Sequence, residues 1–401
     1  MHPADEIRGS TSLELKDKTI VLGVTGSIAA VESIRLAREL IRHGATIIPV
    51  MTPAATRIIH PDALWFATGN SPIVDLSGET EHITWCGRGR QKADALLISP
   101  CTANTISKIT YGIDDTAVTT FATTAIGSSI PIIIVPAMHL AMYDHQIVQD
   151  NVTMLKKQGI VFVDPLISDN KAKMASLDRI SLQIRRVIGP GDMRERTVLI
   201  IGGGTAEPID DVRMLCNRSS GAMAMSLVRR AYERGADVEC WYGKARIRPP
   251  EGIDITNFYS LQDVNDLVDS HDMDKYDIII ICAALSDYIP KRQKEKISSD
   301  QPSMKIQCSA APKLLPALKE KAKEAFIVGF KLESNTTQLL NRAKQMRAKY
   351  DIDLVIANTT KAIDEATATI WIIDDSNSSK KVDGTKTQLA DGIYDTICSK
   401  I

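Results

Sequence analysis

Residues 18–51 read KTIVLGVTGSIAAVESIRLARELIRHGATIIPVM. The run TIVLGV shows no polar alternation, which is how a strand buried on both faces reads. The stretch IAAVESIRLARELIRHG repeats apolar residues at helical spacing and closes with Arg42 and His43 before Gly44, residue types that end a helix. ATIIPVM is a second strand, so the segment is a parallel β-loop-α-β unit. Working outward, DALLISP (94–100) and PIIIVP (131–136) are further strands of the same kind. At 185–196, RRVIGPGDMRER combines Pro190, two glycines and mixed charge, the composition of a boundary. The opening theme then returns as RTVLIIGGG (196–204), a longer loop, the helix MAMSLVRRAYERG (223–235) and the strand ADVECWY (236–242), and the turns HGAT and RGAD match. One recurrence is too few for a stacked-repeat protein. The expected fold is therefore α/β, with two doubly wound, Rossmann-like parallel sheets. The late segments ATATIWIIDD and KKVDGTKT predict an antiparallel hairpin at the edge of the second sheet, followed by a terminal helix near residues 387–399.

The chain of 401 residues has room for two or three domains. The boundary places an N-terminal tail at 1–15, a first domain at 16–188, a linker at 189–196 and a second domain at 197–401. Hydrophobic residues make up 44% and charged residues 24%, which excludes a disordered tail protein, a collagen-like fibre and a coiled-coil rod. Lys plus Arg total 48 against 49 Asp plus Glu, so the basic footprint of a nucleic-acid binder is missing. The seven cysteines form no C-x-x-C pair, which argues against structural zinc and for a thiol-reducing compartment. The opening MHPADEIRGSTSLELKDK lacks an apolar signal core, and the longest apolar runs are too short to cross a bilayer. The expectation is a cytoplasmic protein with no membrane partner.

In open parallel sheets, ligands sit outside the carboxyl ends of the strands, so the loops after each Val/Ile run are the informative places. After the first strand come Gly23-Val24-Thr25-Gly26-Ser27-Ile28. This is equally a helix N-cap made by Ser27 or a phosphate site, and it is not the G-x-G-x-x-G dinucleotide fingerprint. After DALLISP come Cys101-Thr102-Ala103-Asn104-Thr105, where Asn104 could cap the next helix. After PIIIVP come Ala137-Met138-His139-Leu140-Ala141-Met142-Tyr143, where Met138 could be core filler. His82, in GETEHITWCGRG, could be a surface or capping histidine.

Taken together, TGSIAA, His82 ahead of a strand ending in SPCTANT, and PAMHLAMY make residues 16–188 resemble the flavin-containing cysteine decarboxylases. The resemblance implies a flavodoxin-like domain that binds FMN, with Gly26, Ser27, Thr52, Ser99, Thr102, Ala103 and Met138 at the cofactor, and Ser27 near its phosphate. It makes His82 the active-site histidine, a natural base near neutral pH. Asn104 would face the substrate. In this family the flavin withdraws a hydride equivalent from the cysteine side chain, and the resulting C=S accepts the electron pair as CO2 departs. Two departures stand out. The family motif P-x-M-N-x-x-M has an Asn that grips the substrate carboxylate, and here that position is His139. Members that make phosphopantetheine also carry a cysteine in a flap, whereas residues 165–174, PLISDNKAKM, contain none. Lys171 or Lys173 is then the alternative proton donor or substrate contact, against the plainer reading of solvated surface lysines.

In the second half, Gly202-Gly203-Gly204-Thr205-Ala206-Glu207-Pro208-Ile209-Asp210-Asp211-Val212-Arg213 leads to Asn217-Arg218-Ser219-Ser220-Gly221-Ala222-Met223. A loop this long between strand and helix favours binding over a simple surface connection. The glycines allow close approach of a ligand, and Ser219-Ser220-Gly221 opens a helix at which an anion could sit or Ser could cap. Ala283-Ala284-Leu285-Ser286-Asp287-Tyr288 follows DIIIIC, and Lys291, Lys294 and Lys296 lie just beyond. Such lysines are usually solvated, yet lysines beside an Asp also suit Mg-triphosphate.

G-x-T-x-E-P-x-D-x-V-R, N-x-S-S-G-x-M, A-A-x-x-D-Y with a later E-K-I, and V-G-F with D-L-x-x-A-N together make residues 195–400 resemble phosphopantothenate–cysteine ligase. The resemblance implies that Asn217 holds an acyl-nucleotide intermediate and that Lys296 acts in the attack by cysteine. Asp287, Phe330, Lys344 and Lys349, with Lys296, would contact the nucleotide, alongside Gly203, Ser219, Ser220 and Gly221. Chemically, a carboxylate must become a mixed anhydride before an amine attacks it, and cations neutralise the triphosphate meanwhile.

Ligase after decarboxylase in one chain resembles the bifunctional flavoproteins of coenzyme A biosynthesis, which join 4'-phosphopantothenate to cysteine and decarboxylate the product to 4'-phosphopantetheine. The implied cofactors are FMN and Mg2+, with CTP as cosubstrate because microbial fused enzymes use it; no protein metal ligands are assigned. The implied assembly is a homo-oligomer, with trimers of the first domain and dimers of the second. The rivals are a flavin-binding regulatory pseudoenzyme, which has no need of His82, and a peptidyl-cysteine decarboxylase that stops at the enethiol, which has no need of a ligase domain.

Overall fold

In the first unit, the elements run α1 (Pro3–Glu6), β1 (Thr19–Val24), α2 (Ser33–Arg42), β2 (Thr46–Met51), α3 (Pro61–Thr68), α4 (Glu81–Cys86) and β3 (Ala95–Cys101). They continue with α5 (Ala103–Tyr111), α6 (Ala117–Gly127), β4 (Ile132–Pro136), β5 (Met138–His139), α7 (Leu140–Tyr143), α8 (Gln146–Lys157), β6 (Val161–Phe162), β7 (Leu166–Ser168), β8 (Lys171–Lys173) and α9 (Leu177–Ile188). The computed structural model describes residues 2–298, 303–360, 365–376 and 378–401. It divides into two compact units, Met1–Gly189 and Pro190–Ile401.

All but the first residue of β1 is buried, because the strand is covered on both faces. Ile20, Leu22 and Val24 pack into a core with α2, α3 and α9. Val21 points the other way, into a core built with α5, α6 and α8. The sheet order is β2-β1-β3-β4-β6, all parallel. This is the flavodoxin-like order, with its switch point between β1 and β3. The helix expected to follow β1 directly is divided, with a 3-10 turn at Ile28–Glu32 before α2.

Two sequence boundaries need correction. Residues 1–15 were expected to be a tail, yet Ala4 and Leu15 are fully buried in the first core, and the Leu15 N–H donates to the His43 carbonyl at 2.8 Å. Apolar residues spaced too far apart for periodicity explain why the packing escaped notice. The supposed linker from Pro190 onward belongs to the second unit: Met193 is fully buried, and its N–H bonds to Arg234.

The second unit contains β9 (Thr197–Gly202), β10 (Ala206–Pro208), β11 (Met214–Cys216), α10 (Ala222–Glu233), β12 (Asp237–Tyr242), β13 (Asp254–Asn257), α11 (Leu261–Ser270), β14 (Ile278–Ile281), β15 (Tyr288–Pro290) and β16 (Cys308–Ala310). It ends with α12 (Leu314–Lys321), β17 (Phe326–Glu333), α13 (Thr336–Tyr350), β18 (Leu354–Thr359), β19 (Thr367–Ile373), β20 (Ser379–Thr385) and α14 (Lys386–Cys398). The large sheet has the order β13-β12-β9-β14-β17-β18-β19-β20. Its first six strands are parallel and follow the 3-2-1-4-5-6 Rossmann order, which puts a switch point between β9 and β14. β19 and β20 form the expected antiparallel edge hairpin, and α14 is the expected terminal helix.

Candidate functional site

At the first switch point, the loops after β1 and β3 are knitted together through one hydroxyl. Thr25, nearly fully buried, donates from Oγ1 to the Pro100 carbonyl (2.8 Å) and accepts from the Thr102 N–H (3.1 Å). Ser33 at the start of α2 donates to the Ser99 carbonyl at 3.0 Å. Gly26 lies so close to the loop after β2 that an added Cβ would sit 2.6 Å from the Ala54 Cβ. In that loop Thr52 accepts from the Ala55 N–H at 3.2 Å. Gly26, Ser27, Thr52, Ser99, Thr102 and Ala103 thus gather at adjacent strand ends. One local expectation changes and one holds. Thr102, not Asn104, caps α5, and Asn104 is exposed in its first turn. Ser27 caps the 3-10 turn through a long contact of 3.4 Å to the Ala29 N–H.

Beside these loops is an open cleft of about 590 Å³, lined by Ser27, Met138, His139, Lys171, Lys173 and Met174 among others. Its wall is the small antiparallel sheet β5-β8-β7, in which His139 stands directly opposite Lys171. Directly opposed side chains of an antiparallel pair lie about 5 Å apart on one face. His139 accepts at Nδ1 from the Ala141 N–H (3.3 Å), which leaves Nε2 as the donor. Lys173 is committed to Asp169 at 2.5 Å, and that hydrogen bond holds the Asp169 carboxyl below its usual range. Lys171 makes no side-chain hydrogen bond or ion pair among the described residues. Met138 only partly fills the core, since it also faces the cleft.

His82 is not part of that cleft's lining. It sits on α4, edge-on to Phe121 of α6 with ring centroids 6.5 Å apart, and its Nδ1 is buried without a hydrogen-bond partner among the described residues. A buried ring nitrogen left unsatisfied is costly, so this atom is set for a partner. Cys101 is not a substitute for the missing flap cysteine: it is fully buried, and burial pushes its thiol well above the ordinary range.

At the second switch point, Gly203 has φ 77°, and an added Cβ would lie 2.6 Å from the Gly243 carbonyl oxygen. Gly204 bridges Ala284, and buried Thr205 shares a 2.7 Å hydrogen bond with Ser286, so the loop after β9 is joined to the loop after β14. Asn217 adds a further tie, donating from Nδ2 to the Leu285 carbonyl at 3.0 Å. Gly221 is the N-cap of α10 with no side-chain bond of its own, and Ser220 Oγ accepts weakly from the Ala222 N–H at 3.4 Å, so Ser219, Ser220 and Gly221 lead into a helix N-terminus that is only partly capped. Buried Glu207 accepts from the Leu261 N–H at 3.0 Å, adding to the Ser260–Asp263 capping box of α11. The E-P-x-D part of the motif is therefore loop architecture.

Asp287 is exposed and paired with Lys313 at 2.5 Å, a lysine that sequence reasoning missed because it lies outside every motif. Lys296 is exposed on the segment following β15, and Phe330 is half-buried on β17. Lys344 and Lys349 are not brought together. Both lie on α13, where five residues turn the helix by about 140°. Lys349 lies in the last turn, about 20 Å from the helix start at the strand carboxyl ends. Among the described residues, no group of three or more His, Cys, Asp or Glu could hold a metal ion.

Fold and crevices together define a two-unit α/β protein with a flavodoxin-like sheet followed by a Rossmann-ordered one. The Flavoprotein family model matches residues 8–189, and the model for the DNA/pantothenate metabolism flavoprotein C-terminal domain matches residues 193–401. The coenzyme A biosynthesis bifunctional protein CoaBC of Thermococcus kodakarensis is 39% identical over 404 residues, spanning 99% of each chain. CoaBC of Methanocaldococcus jannaschii is 34% identical over 403 residues, spanning 99% of this chain and 97% of its own. The solved structure of the DNA/pantothenate metabolism flavoprotein from Streptococcus pneumoniae covers 51% of this chain and 100% of its own, at TM-score 0.47 and 24% identity. The chain belongs to the family of bifunctional coenzyme A biosynthesis flavoproteins.

Proposed function

We propose that the second unit joins 4'-phosphopantothenate to cysteine through an acyl-nucleotide, and that the first unit decarboxylates the product to 4'-phosphopantetheine. The observation that carries this reading is kinship with a bifunctional protein over 99% of both chains, a span that takes in both crevices.

The first crevice fits FMN on its own features: close-set loops at four strand ends, a Gly26 whose missing Cβ keeps the backbone near Ala54, and an apolar-walled cleft beside Ser27. Gly26, Ser27, Thr52, Ser99, Thr102, Ala103 and Met138 would hold it. Bound FMN supplies the redox chemistry that makes the cysteine carboxyl labile. His82 is the base, exchanging a proton with the substrate through its imidazole. His139 donates from Nε2 to the substrate carboxylate, and Lys171 opposite it supplies the positive charge. Lys173, already paired with Asp169, orients the strand.

In the second unit, Asn217 and the α10 N-terminus receive the anionic intermediate, with Ser219 and Ser220 beside them. Lys296 acts in the attack by cysteine, and Asp287, Phe330 and Lys344 line the nucleotide. Lys349 is the least well placed of that set. CTP is the cosubstrate, and Mg2+ arrives on its phosphates, which usually supply most of that ion's ligands.

The first unit assembles as trimers and the second as dimers, in the cytoplasm. Large apolar side chains left exposed, Ile28, Phe66 and Tyr111 in the first unit and Val212 and Met214 in the second, are available for burial between subunits. Light scattering after size exclusion checks this, and a monomer at working concentration overturns it. The reaction itself is tested by incubating the protein with phosphopantothenate, cysteine, Mg2+ and either CTP or ATP. Masses of phosphopantothenoylcysteine and phosphopantetheine are expected with CTP; no product with either nucleotide refutes the reading.

A further inference from the structure

Lys296 is exposed, on an irregular segment, and its long side chain makes no hydrogen bond or ion pair among the described residues. A residue that must meet an incoming amine at one place needs its backbone held. The next residue is held at both polar groups. The Ile297 N–H donates to Asp210 Oδ2 at 3.0 Å, and the Ile297 carbonyl accepts from the Arg213 guanidinium at 3.1 Å. Just upstream, the Gln293 N–H donates to the Ile209 carbonyl at 2.9 Å, and Arg292 pairs with Asp211 at 3.0 Å. Four bonds from residues 292–297 therefore land on residues 209–213.

The anchor is unusual in its chemistry. Asp210 is nearly fully buried, and a buried carboxylate is costly unless its lone pairs are filled. Here Oδ1 accepts from the Val212 N–H (2.8 Å) and the Arg213 N–H (2.7 Å), while Oδ2 takes Arg213 at 2.5 Å as well as Ile297. Burial pushes the carboxyl upward, but the backbone N–H groups of Ile297, Val212 and Arg213 and the Arg213 guanidinium outweigh it and hold the group well below the usual carboxylate range. Val212 and Arg213 alone would make a closed turn. The bonds to Ile297 are extra to that turn, and they reach across more than 80 residues of sequence to the residue beside Lys296.

We propose that Asp210, working with Arg213, is a positioning residue for Lys296: it fixes the Ile297 peptide so that the lysine amine is presented at the acyl-nucleotide when cysteine attacks. The inference rests on the ligase reading above and adds to it a division of labour, in which Asp210 serves the second half-reaction and not the first. A neutral Asn at this position keeps an oxygen for the Val212–Arg213 turn but cannot accept from Ile297 with its amide nitrogen.

The test uses the full-length chain and separates the half-reactions. Pyrophosphate release from CTP and phosphopantothenate without cysteine reports the first, and loss of the acyl-nucleotide mass after cysteine is added reports the second. For Asp210→Asn the second step is expected to slow by about 10–100-fold, with the first changed by less than about 3-fold and the intermediate accumulating. Ile297→Pro, which removes the N–H that Asp210 accepts and also restricts the backbone of Lys296 before it, is expected to act alike and serves if Asp210→Asn does not fold. In a Lys296→Gln background, Asp210→Asn is expected to add nothing, because residues acting through one another are non-additive. The proposal is overturned if the variants leave the cysteine step unchanged, if they slow the two steps equally, or if the penalty persists without Lys296. A wild-type chain that releases no pyrophosphate overturns the ligase reading and the positioning role with it. A wild-type chain that works beside variants that behave normally overturns the positioning role alone.

Discussion

The two units open on the same β-loop-α-β theme and diverge in the first loop. After β1 the chain enters a helical turn within three residues, at Ile28, and the crevice is walled by strand ends and by the β5-β8-β7 flap. After β9 it wanders from Gly203 to Gly221, forms its own strand pair β10–β11, and is fastened by buried Thr205, Glu207 and Asp210. On the proposed function, the difference follows from what each crevice would hold. A flat ring system needs close walls and few polar groups, so the first loop is short and the chemistry is delivered by single side chains. A triphosphate and a reactive anhydride need many converging donors and exclusion of water, so the second loop is long and internally hydrogen-bonded. One site therefore depends on individual residues, the other on loop integrity.

That contrast can be broken most decisively at His82. His82→Asn is expected to lower CO2 release by at least about 100-fold while the flavin stays bound, as seen in its visible absorbance, and pyrophosphate release is unchanged. Unaltered CO2 release would mean the first site does not hang on this side chain. Next in size, Lys171→Ala is expected to raise KM for phosphopantothenoylcysteine by about 10-fold, as loss of one charge-assisted contact does. Lys173→Ala, whose amine is occupied by Asp169, is expected to change it by less than about 2-fold. Equal effects would undo the distinction between the two lysines.

Gly203→Ala tests the loop-dependent side. A positive φ and the near contact with Gly243 predict a loss of about 1–3 kcal/mol, read as earlier thermal loss of ligation with flavin release unshifted. The smallest effect concerns His43 in the first unit. Burial, then Arg185, lowers its pKa, with Glu14 and Glu39 partly offsetting them. The unfolded chain therefore takes up the proton first as the solution is acidified. Stability from this group is present above the ordinary imidazole value and is lost as pH falls below it, through the lowered folded value. Urea midpoints should drop between pH 7.5 and 5.5 in the wild type and less so in His43→Gln; equal drops would assign the acid sensitivity elsewhere.

Much of the architecture was readable from the chain because uninterrupted Val/Ile runs and helical spacing are local signals. TIVLGV, TVLIIG and DIIIIC became central strands, and the two late segments became the edge hairpin. The burial of Ala4 and Leu15 was not readable, since their segment is tied down by bonds from Gly9 to Ile41 and from Leu15 to His43, far along the chain. At the sites, motif residues gave the loops but not the division of roles among them. Asp210 and Glu207 stood in a binding motif, yet their carboxylates point inward to backbone N–H groups. The choice between Lys171 and Lys173, which share one face of β8, required the pairing of His139 with Lys171 and the engagement of Lys173 by Asp169, and neither has a local sequence signal. Lys313 had no sequence signal at all, because its partner Asp287 lies 26 residues away.

The outermost strand of the second sheet, β20, carries Lys380, Lys381 and Asp383 along an exposed margin. Unpaired peptide groups on such a margin would otherwise invite another chain to extend the ladder. A newcomer would have to strip water from those charges without offering them matching partners, so propagation into fibrils or mispaired clumps is discouraged at that side. A few ionised groups thus guard the open margin of a sheet whose face is already covered there by α14.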